Sequence, residues 1–286
     1  MKQLINDITA QLLPCYPEDE ALSLAWWIVE EETGLSRSQI LSGCKITKNF
    51  AHVQEVIDRL LHFEPIQYIF GHTEWCGLDL KVTPATLIPR PETAELVERI
   101  NQQSAISNQQ SAIRVLDVGT GSGCIALAVK KAHPEWQVTG IDISPEAIAV
   151  ARENALRNHL DVTFQVADIF DSIEKNQQSS IINQQYDIVV SNPPYICERE
   201  KSSMRPNVLN FEPHTALFVP DSDPLRFYRR IAELLKNHQS SHLFFEINEA
   251  FGEEMRDLLA GLGYTDILIT NDIYGKARII EARMVG

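Results

Sequence analysis

The sequence predicts an α/β protein with a mostly parallel sheet, preceded by a smaller helical part, and three observations lead there. Residues 1 to about 70 show helical spacing. From about residue 90, apolar strands, Gly or Pro turns and amphipathic helices alternate, the pattern of a sheet covered on both faces. Apolar residues are 44% and charged residues 22% of 286, the balance of a soluble globular chain rather than a disordered or coiled-coil one. At about 150 residues per domain, that length favours two domains.

In the first part, Ile5, Ile8, Leu12 and Leu13 are spaced to share a helix face, as are Val53, Ile57, Leu60 and Leu61. Glu18-Asp19-Glu20 suits a helix start, where carboxylates oppose the positive end of the dipole. Glu74 to Thr83 alternates through Trp75, Leu78, Leu80 and Val82 and reads as strand, so helical patterning ends there. The expected division is a helical domain over 1–73, serving substrate recognition or simply a structural bundle, a β-hairpin linker over 74–90, and an α/β domain over 91–286. Strands in the last are expected at 114–118, 137–141, 162–166, 186–190, 242–247, 266–270 and 277–284, with helices at 145–158 and 224–236. In such folds the crossovers are right-handed and ligands bind outside the carboxyl ends of the strands. Asn101 to Ile113 repeats the hexamer NQQSAI, Asn176 to Gln185 repeats NQQ, and Asn237 to Ser241 is similar. Each precedes an expected strand, at the sheet edge opposite the ligand crevice, where polar insertions are tolerated.

Composition excludes several classes. The net charge is 25 minus 39, or −14, and Lys130-Lys131 and Arg229-Arg230 are the only adjacent basic pairs, so no patch stands ready for a phosphate backbone. Five cysteines without a C-x-x-C pair, and eight histidines without H-E-x-x-H, fit neither a disulfide framework nor a zinc site. Leu22 to Val29 is too short to span a bilayer and Met1 to Ala10 lacks a signal-peptide pattern, so a cytoplasmic chain is expected.

Three motifs carry chemistry. Val115 to Val118 runs into Gly119-Thr120-Gly121-Ser122-Gly123 and then a helix, a turn whose glycines admit close approach of a ligand to the backbone and whose helix start offers free amides. Cys124 stands where a dinucleotide fingerprint needs its third glycine, which disfavours pyrophosphate. Asp142 ends the next strand, where a carboxylate accepts hydrogen bonds from both ribose hydroxyls of a nucleoside; the plainer alternative is a turn residue before Pro145. Asp168 closes the third strand, where side chains border an adenine ring. Most specific is Asn192-Pro193-Pro194-Tyr195 after a strand. An amide or adenine amino nitrogen is a poor nucleophile because its lone pair is delocalised. A side-chain amide oxygen and a proline-stiffened backbone carbonyl can accept both N–H groups and aim the lone pair at an electrophile, while an aromatic ring packs on the planar group.

Together these motifs resemble the seven-strand S-adenosylmethionine-dependent methyltransferases. The run Thr83 to Val97, with Ile88-Pro89-Arg90-Pro91-Glu92-Thr93 at its centre, is similar to that of the bacterial methyltransferases acting on a glutamine of peptide chain release factors, as are Glu212 to Leu217 and Asp272 to Arg283. The related ribosomal-protein glutamine methyltransferases carry Ser-Pro-Ile in place of Pro91-Glu92-Thr93. The chain departs from the family at Asn248 and Phe251, where Gly and Gln are usual. The resemblance implies a Rossmann-like methyltransferase domain whose last strand is antiparallel. It implies that Gly119, Thr120, Gly121, Ser122, Gly123 and Asp142 hold S-adenosylmethionine, that Asp168 and Ile169 flank its adenine, and that Asn192 borders it. It further implies that Asn192, Pro193, Pro194 and Tyr195 hold the glutamine of a Gly-Gly-Gln loop, with Asn192, Pro193 and Tyr195 catalytic. Release factors are the implied partner, with no nucleic acid, membrane or metal. Two rivals stay open: a DNA or RNA adenine-N6 methyltransferase, against which residues 1–85 set twelve acids and six Lys plus Arg, and a nicotinamide-dependent oxidoreductase or non-catalytic nucleotide binder.

Overall fold

A computed structural model of the chain describes residues 1–44, 50–102, 113–171, 184–235 and 241–284. It divides into two compact units, Met1–Gly71 with Arg205–Phe211, and His72–Met204 with Glu212–Gly286. Apart from their ends, the three Asn/Gln-rich stretches lie outside the described residues.

The first unit is helical: α1 (Lys2–Leu12), α2 (Glu18–Thr33), α3 (Arg37–Leu41), α4 (Val53–Leu61), α5 (Ile66–Phe70) and the short helix Pro206–Phe211. Ile5, Ile8 and Leu12 of α1 pack with Ala21, Ala25, Ile28 and Val29 of α2 and with Val53, Val56, Ile57 and Leu60 of α4. Leu13, expected on the α1 face, is 49% exposed because the helix ends one residue earlier. Leu61 is half-buried, and Val56 fills the place assigned to it. The acidic triplet Glu18, Asp19 and Glu20 forms the first turn of α2, and Gly34 closes that helix in the left-handed region. Ser36 and Gln39 make a reciprocal capping box on α3.

The second unit opens with a hairpin, β1 (His72–Trp75) and β2 (Leu78–Lys81), paired antiparallel with Trp75 opposite Leu78. The alternating run 74–83 is thus two strands: Cys76 and Gly77 both take positive φ and turn the chain, a turn its apolar period does not reveal. There follow α6 (Pro91–Asn101), β3 (Arg114–Val118), α7 (Cys124–Ala132), β4 (Gln137–Asp142), α8 (Pro145–Arg157), β5 (Thr163–Val166) and β6 (Ile188–Ser191). Then come β7 (Ile196–Cys197), β8 (Phe218–Val219), α9 (Arg226–Leu235), β9 (His242–Glu246), α10 (Gly252–Gly261), β10 (Thr265–Asn271) and β11 (Ala277–Arg283).

Among the described residues the main sheet has seven strands in the order β10-β11-β9-β6-β3-β4-β5. β9, β6, β3, β4 and β5 are parallel, and β11 runs antiparallel between β9 and β10. Side chains of successive strand residues alternate between two cores. Val115, Ile188, Val190, Phe244 and Ile279 meet α6, α7, α8 and the hairpin on one face. Leu116, Val118, Val189, Leu243, Phe245 and Ile280 meet α9 and α10 on the other. Strand order reverses at β3, so β3→β4 leads one way and β6 lies on the other side: the topological switch point where open α/β sheets bind ligands.

Candidate active site

The carboxyl ends of β3 and β6 bring two of the motifs together. Val118 pairs with Ser191, and the Ser191 hydroxyl donates to the Val118 carbonyl at 2.6 Å, so Gly119 and Asn192 leave adjacent strands about 4.8 Å apart. The glycine turn hooks back onto β4: Gly119 N and Thr120 N both donate to the Ile141 carbonyl, at 2.8 and 2.9 Å. A Cβ on Gly119 or Gly121, both at positive φ, would meet nothing within 4 Å, whereas one on Gly123 would lie 2.9 Å from the Phe164 ring. The first two glycines therefore border open space suited to a ligand, and the third lets α7 pack against β5. Thr120 and Ser122 are buried beneath the turn.

Asp142 ends β4 with its carboxylate already aimed. Oδ2 accepts from Gly121 N and Oδ1 from Ser144 N, each at 2.9 Å, so each oxygen keeps a lone pair for a further donor. Burial raises its pKa, against the pull of the backbone N–H groups of Ser144, Gly121 and Ile143. Asp168 lies two residues past β5, half-buried, with Oδ1 accepting from Phe170 N at 2.8 Å. The Ile169 side chain packs into the core with Leu116, Val118 and Ile141, and its carbonyl is held by Arg230 Nε at 2.6 Å.

The segment Asn192 to Tyr195 has Pro193 buried and the other three residues half-buried. Asn192 Nδ2 donates to Thr93 Oγ1 at 3.2 Å, and that hydroxyl donates to Glu246 Oε2 at 2.7 Å. The Tyr195 hydroxyl donates to Glu246 Oε1 at 3.0 Å. Thr93 and Glu246 are each 2% exposed. Burial raises the pKa of Glu246, opposed by the Thr93 and Tyr195 hydroxyls and by Arg278. Burial, then the Glu246 charge, raises that of Tyr195, keeping it a hydroxyl donor. No donor among the described residues reaches Asn192 Oδ1 or the Pro193 carbonyl.

Sequence reasoning missed four supporting residues. Thr93 lay inside the run 83–97 and Glu246 inside the expected strand 242–247, with no role attached to either. Glu212, with its side chain fully buried, accepts from Ile88 N and pairs with Arg90 at 2.5 Å, which joins two motifs distant in the sequence. Asp117 is fully buried; Thr120 Oγ1 and Ala126 N donate to its Oδ2, and burial raises its pKa to about 7. Asn248, one of the family departures, caps the turn after β9, and its Nδ2 also donates to the Tyr195 carbonyl at 3.2 Å. Its reach therefore extends into the Asn-Pro-Pro-Tyr segment.

Residues 109–251 match the family described as a methyltransferase domain, and residues 3–71 match the PrmC N-terminal domain. The release factor glutamine methyltransferase of Bacteroides thetaiotaomicron is 43% identical over 291 residues, covering 99% of each chain. The chain belongs to the release factor glutamine methyltransferase family. A member from Flavobacterium psychrophilum is 44% identical over 231 residues, 80% of this chain and 78% of that one. Among solved structures, the hMettl16 catalytic domain, crystallised with the MAT2A 3′UTR hairpin 6, superposes with a TM-score of 0.56 at 17% identity over 84% of each chain. The human methyltransferase 10 domain containing protein gives 0.51 at 17% identity over 83% of this chain and 99% of that one. These two likenesses show the fold alone. Among the described residues no group of three or more His, Cys, Asp and Glu is placed to hold a metal, and no helix is long and apolar enough to cross a membrane.

Proposed function

We propose that the chain transfers the methyl group of S-adenosylmethionine to the side-chain amide nitrogen (N5) of the glutamine in the Gly-Gly-Gln motif of peptide chain release factors. The observation that carries this reading is the adjacency of the glycine turn after β3 and Asn192-Pro193-Pro194-Tyr195 after β6, with an amide oxygen and a backbone carbonyl left unclaimed.

The residues present fit the cofactor, since Gly119 and Gly121 face open space and both Asp142 oxygens retain acceptor capacity. When bound, S-adenosylmethionine supplies a sulfonium methyl group as electrophile. Gly119 to Gly123 receive its polar end at the start of α7, Asp142 takes the ribose hydroxyls, and Asp168 and Ile169 border the adenine, with Asn192 at the boundary between cofactor and substrate. Asn192 Oδ1 and the Pro193 carbonyl accept the two N–H groups of the glutamine amide, Pro194 stiffens the segment, and Tyr195 packs on the amide plane. Holding both hydrogens in this way draws the nitrogen lone pair out of conjugation and toward the methyl carbon. That nitrogen would take the methyl group of the bound cofactor, N–C forming as S–C breaks, and the extra proton on nitrogen would leave to water. No general base is required.

A primary amide is offered by every exposed glutamine, so selectivity needs a second surface. The helical unit supplies one, with ten acids against five Lys plus Arg over residues 1–71, suited to a basic face of the folded release factor. Such a substrate sets the work of the chain in the cytoplasm. Incubation with labelled S-adenosylmethionine and purified release factor should label its Gly-Gly-Gln glutamine and leave adenine-containing oligonucleotides unlabelled. Label on the oligonucleotide alone would replace this reading with an adenine-N6 methyltransferase.

A further inference from the structure

We propose that Glu246 and Thr93 are positioning residues that fix which end of the Asn192 side chain faces the reacting amide. This rests on the role given above to Asn192 and adds what makes that role possible.

A side-chain amide is nearly symmetric in shape, and only its hydrogen bonds decide whether oxygen or nitrogen points into a site. Were Asn192 to present its NH2 group to the substrate, two donors would face each other and the glutamine amide would be repelled. The structure contains a device against this. Glu246 lies at the carboxyl end of β9, the strand next to β6, and each of its oxygens receives one hydroxyl, Tyr195 at 3.0 Å and Thr93 at 2.7 Å. Two hydroxyl donors on two separate oxygens match an ionised carboxylate, which accepts and never donates. Thr93 has a single hydroxyl hydrogen, and Glu246 takes it. What Thr93 offers Asn192 is therefore a lone pair, and the group able to meet a lone pair is NH2. The Asn192 oxygen is left facing away from Thr93 as an acceptor.

The order of donors runs Asn192 to Thr93 to Glu246, and it is enforced from the charged end. Both members beyond Asn192 are buried, so water does not compete for these bonds. The Tyr195 branch fixes the aromatic ring through the same carboxylate, so one buried acid orients both the amide and the ring that bracket the substrate. Thr93 sits in the first turn of α6, immediately after the Arg90 strap that Glu212 anchors, which supplies a reason for that run and the Glu246 segment to occur in one chain.

The experiment compares wild type, Thr93→Val, Thr93→Ser and Glu246→Gln, each checked for folding by circular dichroism, using intact release factor and calorimetry with S-adenosylmethionine. Thr93→Val keeps the shape of the side chain and removes the hydroxyl. We expect kcat to fall at least tenfold, with KM for the factor and cofactor affinity within about threefold of wild type, and Thr93→Ser to recover most of kcat. Glu246→Gln should lower kcat in the same way, because its NH2 competes to donate to Thr93. On an Asn192→Ala background, Thr93→Val should have no further effect, since the group it orients is gone. Turnover of Thr93→Val within about twofold of wild type, or an undiminished loss on the Asn192→Ala background, overturns the proposal. Should Thr93→Val fail to fold, the Glu246→Gln and Thr93→Ser turnovers decide it by the same criteria. A wild-type chain that leaves release factor glutamine unmethylated refutes the functional reading itself, a different result from a methylating wild type with an indifferent Thr93.

Discussion

Asp142, Asn192 and Asp117 are three polar side chains at strand ends, and each should respond differently to substitution. Removing the Asp142 carboxylate deletes a charged acceptor, worth about 1.5 to 3 kcal/mol, so Asp142→Ala should weaken S-adenosylmethionine binding by roughly 10- to 100-fold in calorimetry. An unchanged affinity would detach the ribose from that strand. Asn192→Ala should instead lower turnover by about 100-fold or more while cofactor affinity changes little; near-normal turnover would end the amide-acceptor role. Asp117 acts on stability. Its folded pKa, raised to about 7 by burial, lies above the usual unfolded value of about 3.9, so the folded state binds the proton more tightly. The stability this group contributes is complete below about pH 4 and is lost as pH rises through about 7. Urea unfolding of wild type against Asp117→Asn should show the difference moving in favour of the variant across that window, and a pH-independent difference would contradict the assignment. At this scale the sequence made legible the motifs that the fold brings to neighbouring strand ends, because glycine turns and Asn-Pro-Pro-Tyr have chemistry readable from residue type. It did not make legible Thr93, Glu246 or Asp117, whose meaning lies in which buried group they face.

The hairpin β1–β2 and helix α8 show the same division among elements. Most strand and helix positions followed from apolar period, with boundaries within two residues for β3, β4, β5, β6 and β9. The hairpin turn at Cys76 did not, since a cysteine at positive φ has no composition signature. Nor did the tie between hairpin and sheet. Asn154 of α8, fully buried, accepts from Lys81 N at 2.7 Å and donates to the carbonyls of Lys81 at 3.0 Å and Ser122 at 2.9 Å. One side chain thus joins a hairpin strand, a helix and the glycine turn. Asn154→Ala would strand the buried Ser122 carbonyl at roughly 1 to 3 kcal/mol and the part-buried Lys81 groups at less, so chemical denaturation should show a loss of about 2 to 4 kcal/mol. Because Ser122 belongs to the glycine turn, cofactor affinity should fall as well; a stability loss without any change in affinity would mean that the turn holds its shape unaided.

Over the whole molecule, charge is the property that bears on the proposed choice of a protein over a nucleic-acid substrate. With a net charge of −14, methylation of the intact release factor should weaken as salt is raised from about 50 to 500 mM, seen as a rising KM, whereas a short Gly-Gly-Gln peptide that engages only the pocket should be much less affected. Equal salt dependence of factor and peptide would remove the electrostatic role from the helical unit. The antiparallel course of β11 has a practical consequence for anyone measuring this. Arg283 pairs with His242, and Met284 N donates to the Ser241 carbonyl, so the chain leaves the sheet at the edge where β9 begins, while Asn192 stands at the edge where β6 ends. A biotin or fluorophore tether carried beyond Met284 starts from the edge of the sheet opposite the candidate site, and a sensor surface that captures the protein through it should leave the Asn192 edge turned toward the flowing analyte.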